Sequence, residues 1–235
     1  MRKKLKALLL CAGYGTRLRP LTLTKPKCLV EVSGTPLLKR WLLELERIGV
    51  DEVLINTHYL ADKIREFVDN WESKNLKVKL TYEKKLLGTA GTLIKNKSFF
   101  KDSTCLFLHA DNYTNYDMNL LLKAHEKRDK KCYITMLIFK SFEPEKCGVV
   151  ELDSNNIVTR FHEKVINPPS DLASGAIFVF DYKFFNFLNL LKPRPKDFSK
   201  DVIPNLLGKV QSCYTSSVFI DIGTPENLKK ANLLV

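Results

Sequence analysis

Several things are missing from this sequence, and each absence removes a class of function. No apolar run approaches the ~20 residues needed to cross a bilayer, so insertion into a membrane is not expected. The six cysteines (Cys11, Cys28, Cys105, Cys132, Cys147 and Cys213) contain no CxxC pair, and no Cys/His cluster has zinc-ligand spacing. Reduced thiols packed as small hydrophobes are the expectation instead. His58, His109, His125 and His162 likewise show no metal spacing. There is no basic tail or long basic helix, although Lys+Arg outnumber Asp+Glu by 38 to 26, for a net charge of +12. Dispersed positive charge suits phosphorylated small molecules better than nucleic acid, and no nucleic-acid partner is expected. No linker rich in Pro, Gly or Ser and no internal repeat interrupts the 235 residues, so one domain spanning 1–235 is expected.

The N-terminus imitates a lipoprotein leader: Met1-Arg2-Lys3-Lys4, an apolar run to Leu10, then Cys11. The run is short and broken by Lys6, and the residues after it continue into a structured motif. It reads as a buried first strand, and the expected location is the cytoplasm.

What is present is an alternation of strand and helix. Lys6–Cys11, Asp51–Asn56, Lys77–Tyr82 and Cys105–Leu108 read as strands. Leu37, Leu38, Trp41, Leu42, Leu45 and Ile48 recur at helical spacing within 35–48, closed by Gly49, and 60–71 is a second amphipathic helix. This is the pattern of βαβ units: an α/β fold with a mostly parallel central sheet flanked by helices, Rossmann-like. Ligands in such sheets bind beyond the carboxyl ends of the strands, so the glycines after the first strand and Asp111 after a later one are expected on one rim. From Cys132 on, strands are expected at 133–139, 149–152, 157–161, 176–180 and 217–222. Helices are expected at 184–191 and 199–207 and from Pro225.

The most informative segment runs Leu10-Cys11-Ala12-Gly13-Tyr14-Gly15-Thr16-Arg17-Leu18-Arg19-Pro20-Leu21-Thr22, then Lys25-Pro26-Lys27-Cys28-Leu29. Glycines let backbone N–H groups approach a phosphate, and Arg17 and Lys27 can neutralise one. Gly-Lys-Ser/Thr is absent, so this is not a P-loop; a third glycine is absent, so it is not a dinucleotide fingerprint. Asp221 stands within the apolar strand Phe219-Ile220-Asp221-Ile222, where a carboxylate is costly unless paired or metal-bound.

The run Gly-x-Gly-Thr-Arg-Leu-x-Pro-Leu-Thr followed by Pro-Lys-x-Leu resembles the sugar nucleotidyltransferase (nucleotidyl diphosphate sugar pyrophosphorylase) family. The resemblance continues through Leu87-Gly88-Thr89-Ala90-Gly91, Asp111, Glu163-Lys164 and Phe219–Thr224, nearly the whole chain. It implies a glycosyltransferase-A-like fold and an in-line attack of a sugar-phosphate oxygen on the α-phosphorus of an NTP, with pyrophosphate leaving. It implies catalytic roles for Arg17, Lys27 and Asp111. It assigns the nucleotide to Ala12, Gly13, Gly15, Thr16, Arg17, Glu83, Gly88 and Thr89, and the sugar phosphate to Gly148, Glu163, Lys164, Ser174 and Gly175. Asp111 and Asp221 are implied as ligands of Mg²⁺. On this view 1–130 is mainly the NTP-binding half and 131–235 mainly the sugar-phosphate half. The long C-terminal repeat domain of larger family members is not expected.

Glu83 with Leu87–Gly91, and Phe198-Ser199-Lys200-Asp201-Val202-Ile203-Pro204, resemble guanylyltransferases for mannose- or heptose-1-phosphate. GTP and a manno-configured hexose or heptose 1-phosphate are therefore the favoured substrates. UTP with a sugar such as MurNAc 1-phosphate, and a non-catalytic nucleotide-sugar-binding regulator, stay as alternatives, and a homo-oligomer is left open. Two positions depart from the family's habit: Ala110, where glycine is frequent, and Ser174, where mannose-type members often have Asn.

Overall fold

A computed structural model describes residues 3–73 and 75–234; Met1 and Arg2, which head the leader-like run, lie outside these. The chain folds as two compact units. One contains Leu87–Leu106 and Asp117–Ser217. The other contains the described residues of Arg2–Leu86, Phe107–Tyr116 and Val218–Val235. The strand Ser103–His109 begins in the first and ends in the second.

In the unit built around the N-terminal region, strands Lys4–Leu10, Glu52–Thr57 and Lys77–Tyr82 lie side by side and parallel. Leu8 pairs with Leu54, and Ile55 with Leu80. Helices Leu37–Arg47 and Ala61–Asp69 connect successive strands, as the apolar spacing predicts. The first buries Leu37, Leu38, Trp41, Leu42 and Leu45, the residues that recur at i, i+3 and i+4. Glu52–Thr57, flanked by a strand on each side, is buried almost throughout, whereas Lys77–Tyr82 alternates exposed and half-buried residues.

In the other unit the pairing is mixed. Leu172–Asp181 pairs antiparallel with Ile134–Lys140 and with Gly148–Leu152, which in turn pairs antiparallel with Val158–Glu163. Val210–Thr215 adds in parallel to Ile134–Lys140. The α/β class and the run of parallel strands follow the alternation in the sequence.

Two expected elements differ in the structure, and others form unexpectedly. The segment expected as one helix over 199–207 is a π-turn, Phe198–Val202, followed by a 3-10 turn, Ile203–Leu206. Pro204 cannot donate to the helix, and its ring would meet the carbonyl four residues back. The strand expected at 217–222 shortens to Phe219–Asp221. Helices Thr89–Lys95 and Met118–Lys127 and strand Val210–Thr215 form where no element is expected.

All six cysteines are free thiols, four of them buried. Burial, and then the neighbouring Cys28, push the Cys11 thiol well above its usual pKa. Cys11 is thus a packed hydrophobe and not a nucleophile. Among the described residues, no helix is long and apolar enough to cross a membrane.

Candidate active site

The glycine loop leaves the carboxyl end of strand Lys4–Leu10. Gly15 has φ +64°, and a Cβ there would lie 2.9 Å from Thr22 Cγ2, so only glycine fits. Thr22, fully buried, donates from Oγ1 to the Gly15 carbonyl at 2.7 Å and folds the loop back on itself. Gly13 and Tyr14 stay exposed at the tip and Ala12 is buried beneath it. Thr16 and Arg17 are exposed in the 3-10 turn Thr16–Leu18.

Two other segments meet this loop. The Ala110 N–H donates to the Leu10 carbonyl at 3.1 Å, which seats the turn after strand Ser103–His109 beside the start of the loop. That turn carries Asp111. Its carbonyl accepts the Ile222 N–H at 3.0 Å, and Asn112–Thr114 pairs antiparallel with Phe219–Asp221, Asn112 opposite Asp221. A small core of Leu18, Val30, Val32, Leu37, Tyr113, Ile222 and Ala231 lies under all three segments and fixes them to one another. The rim expected for the loop and Asp111 is therefore present, and Asp221 is on it.

Four charged side chains converge there. Lys27, with only 11% of its side chain exposed, places Nζ 2.5 Å from Asp111 Oδ2 and 3.0 Å from Asp221 Oδ1. Arg17 Nη2 approaches Asp221 Oδ2 at 3.4 Å. Burial by itself would raise the Asp111 carboxyl, but the Lys27 ammonium, and behind it His109, hold it below its ordinary value. Burial works to lower Lys27, yet Asp111 and Asp221 together hold it above its ordinary value. Both ends of the pair are thus kept charged by each other.

Asp221 is paired, as a carboxylate among apolar neighbours requires, and Phe219–Asp221 is also half-buried, with the Asp221 side chain 46% exposed. The residue is held by its ion pairs and by the Gly223 N–H, which donates to Oδ1 at 2.8 Å, and not by confinement.

Glu83 lies one residue past strand Lys77–Tyr82 and is 1% exposed. Its Oε1 accepts from Asn56 Nδ2 at 3.0 Å, and Asn56 Oδ1 accepts the Cys11 N–H at 2.8 Å. Glu83 therefore reaches the glycine loop from behind, through Asn56. Asn56 and its neighbours His58 and Tyr59 carry contacts to the loop that the sequence reading overlooks. The available signal is a run of polar residues, Asn56-Thr57-His58, directly after the apolar Val53-Leu54-Ile55.

The remaining candidates lie in the other unit. Gly88 leads into helix Thr89–Lys95; the Ala90 and Gly91 N–H groups donate to the Lys196 carbonyl, and Thr89 Oγ1 accepts the Phe198 N–H at 2.7 Å. Gly148 sits opposite Glu163 in the ladder, and a Cβ there would strike the Phe161 ring and come within 2.8 Å of Glu163 Oε2. Lys164 holds a left-handed backbone, φ +53°, with its N–H donating to the Cys147 carbonyl at 2.9 Å. Its ammonium lies 3.7 Å from Glu163 Oε1 and is largely exposed. Ser174 accepts the Ala176 N–H on its hydroxyl at 3.2 Å, where the strand shifts register, and Gly175 is buried beside it.

Comparison with known proteins agrees with the fold. Residues 6–235 match the nucleotidyl transferase family. A mannose-1-phosphate guanylyltransferase catalytic subunit beta from Danio rerio is 33% identical over 95% of this chain and 62% of its own length. A mannose-1-phosphate guanyltransferase from Schizosaccharomyces pombe is 31% identical over 95% of this chain, again 62% of its own length. The chain thus spans less than two thirds of these relatives. Among solved structures, a Bacillus anthracis protein crystallised with sucrose, provisionally named a glucose-1-phosphate thymidylyltransferase, superposes with a TM-score of 0.88 at 22% identity. That match covers 98% of this chain and 94% of the other. HddC from Yersinia pseudotuberculosis gives a TM-score of 0.81 at 24% identity, covering 97% and 98%. The chain belongs to the nucleotidyl transferase family.

Proposed function

We propose that this protein transfers a nucleoside monophosphate from an NTP to a sugar 1-phosphate. An oxygen of the sugar phosphate attacks the α-phosphorus, the bond from that phosphorus to the bridging oxygen breaks, and pyrophosphate carries the electron pair away. GTP and a manno-configured hexose or heptose 1-phosphate are the substrates favoured; the names of the curated relatives are in keeping with GTP and mannose 1-phosphate. The observation that carries the reading is the convergence of Arg17, Lys27, Asp111 and Asp221 at the mouth of a glycine loop.

Two anions have to meet in this reaction, so positioning and charge neutralisation supply most of the rate. The backbone of Ala12–Thr16 offers N–H groups to the triphosphate. Arg17 and Lys27 bind its outer phosphates and offset charge that builds on the leaving pyrophosphate. Gly88 and Thr89 face the base. Glu163 accepts sugar hydroxyls, Lys164 holds the incoming phosphate, and Gly148, Ser174 and Gly175 form the floor of that pocket.

A divalent metal fits the donor set. Asp111 and Asp221 already direct carboxylate oxygens at one cationic centre, the Lys27 ammonium. Two carboxylates with phosphate oxygens and waters satisfy Mg²⁺, and no cluster of three or more protein ligands occurs among the described residues. Asp111 and Asp221 would hold such an ion, which would supply positive charge to offset the phosphate charge opposing attack. The location in keeping with these soluble substrates is the cytoplasm.

The test is an array of NTPs against sugar 1-phosphates, read as pyrophosphate release. GTP with a manno sugar is expected to give the highest kcat/KM. Turnover with UTP alone would reassign the nucleotide, and no release with any pair would reject the reaction.

A further inference from the structure

We infer that the segment Asn56–Tyr59 is the frame that positions the glycine loop, with His58 as the positioning residue for its tip; this rests on the proposed function.

The frame follows from four consecutive residues at the carboxyl end of one strand. Strand Glu52–Thr57 is buried between two parallel neighbours, with Asn56 opposite Leu10 and Thr81 and Thr57 opposite Tyr82. Asn56, 4% exposed, accepts the Cys11 N–H at 2.8 Å and fixes where the loop begins. The buried Glu83 carboxylate holds the other end of the Asn56 amide, so the amide cannot flip without breaking both bonds.

At the far end of the loop, the Tyr59 hydroxyl donates to the Thr22 carbonyl at 2.9 Å. Thr22 in turn donates to the Gly15 carbonyl. Tyr59 thus fixes where the loop ends.

His58 handles the tip. Its Nδ1 is 2.7 Å from the Glu83 carbonyl oxygen, and a carbonyl can only accept, so the proton at this contact belongs to Nδ1. A ring that carries its proton on Nδ1 alone presents Nε2 as an acceptor, and the Tyr14 hydroxyl lies 3.0 Å from that nitrogen. The Tyr14 ring stands edge-on to His58 with centroids 5.5 Å apart, and lies 5.5 Å from Tyr59. Tyr14 is 44% exposed between Gly13 and Gly15, a place where a tyrosine without partners would sweep freely.

A loop whose N–H groups must all face a triphosphate loses affinity if it samples many conformations before binding. Clamping its start, tip and end on one buried strand removes that cost. The clamps touch neither the reacting phosphorus nor the charged cluster. Their expected signature is therefore in NTP affinity and not in the chemical step.

The experiment compares wild type, Tyr14→Phe, His58→Leu and the double variant by two readouts. Tyr14→Phe removes one oxygen from an exposed side chain and leaves the fold intact. Amide hydrogen exchange of residues 11–22 without ligand is expected to rise severalfold in each variant. KM and Kd for the NTP are expected to rise about tenfold, with kcat at saturation within about twofold of wild type. The double variant is expected to be no worse than His58→Leu alone, because both remove the same contact. Unchanged exchange in both single variants, or additive losses in the double, would overturn the frame. If wild type uses no NTP the proposed function falls, whereas the exchange data still decide whether the segment orders the loop.

Discussion

Lys27 and Asp111 form the tightest contact in the charged cluster, Nζ to Oδ2 at 2.5 Å, with the lysine almost wholly covered. Each keeps the other ionised, and the stability that follows depends on pH. Asp111 titrates lower folded than unfolded, so its contribution is complete above its ordinary value of 3.8 and fades as pH falls below that. In Lys27→Ala the burial term stands with far less opposition. The Asp111 carboxyl then rises, and the uncompensated charge is destabilising at neutral pH by less than the roughly 3–5 kcal/mol of a fully buried pair, because the Asp111 side chain is 30% exposed. That cost shrinks as acid protonates the group. The melting temperature of the variant should therefore trail wild type most at pH 7, and the gap should narrow toward pH 4 and close further only as pH falls below 3.8. A constant gap across that range would show that the two groups are not coupled.

Asp111→Asn keeps the shape and the turn while removing the charge. Turnover should drop by a few orders of magnitude, since an amide is a poor partner for a divalent cation and for Lys27. Circular dichroism should be unchanged. Activity within about threefold of wild type would remove Asp111 from the reaction.

Gly223 offers a quieter way to disturb the cluster. A Cβ there would come within 2.6 Å of Arg17 Nη2 and 2.9 Å of Asp221 Oδ1. Arg17 is at the flexible end of an exposed side chain and can swing away at little cost to stability. Gly223→Ala should therefore weaken NTP binding by about tenfold, or about 1.4 kcal/mol, while the melting temperature stays close to wild type. Isothermal titration with the NTP reads the first effect and calorimetric melting the second.

Away from the site, Glu52 lies between Lys79, at 2.6 Å, and Lys6, at 3.0 Å. The Lys79 hydrogen bond is the main cause that brings its pKa down to about 2 from 4.5, with Lys6 adding to it against partial burial. A lowered carboxyl adds stability that is complete above pH 4.5 and lost as pH falls toward 2. Because Lys79 is half-exposed, solvent screening keeps this to on the order of 1–2 kcal/mol. Glu52→Gln should lower stability at pH 6 by that amount and flatten the acid limb between pH 4.5 and 2. Urea unfolding across this range measures it.

Most of the N-terminal α/β pattern was legible because periodicity and burial coincide. Leu37, Leu38, Trp41, Leu42 and Leu45 recur at helical spacing, and all five are buried in one helix. The segment Val210–Thr215 was not legible, since it alternates Val, Gln, Ser, Cys, Tyr and Thr without a strong apolar face. It is a strand because Ile134–Lys140 offers it a complete ladder. The charged cluster was readable as residue types, Arg17, Lys27, Asp111 and Asp221, through a motif. That Asp221 is half-exposed was not, because its apolar neighbours in sequence point to a small core on one side only. The polar stretch Asn56-Thr57-His58 carried the least signal of all, as its work is done by side chains reaching backward across the strand end.

The short ladder between Asn112–Thr114 and Phe219–Asp221 joins parts of the chain synthesised far apart in time. A ribosome that has delivered Lys27 and Asp111 has made the pair but not the second carboxylate. The core under the glycine loop is likewise incomplete without the C-terminal segment, since Ile222 and Ala231 belong to it together with Leu18 and Val30. The charge cluster is completed only when the C-terminal segment returns to lie beside Asn112. Until that segment is in place, Asp111 has Lys27 but the lysine lacks its second carboxylate.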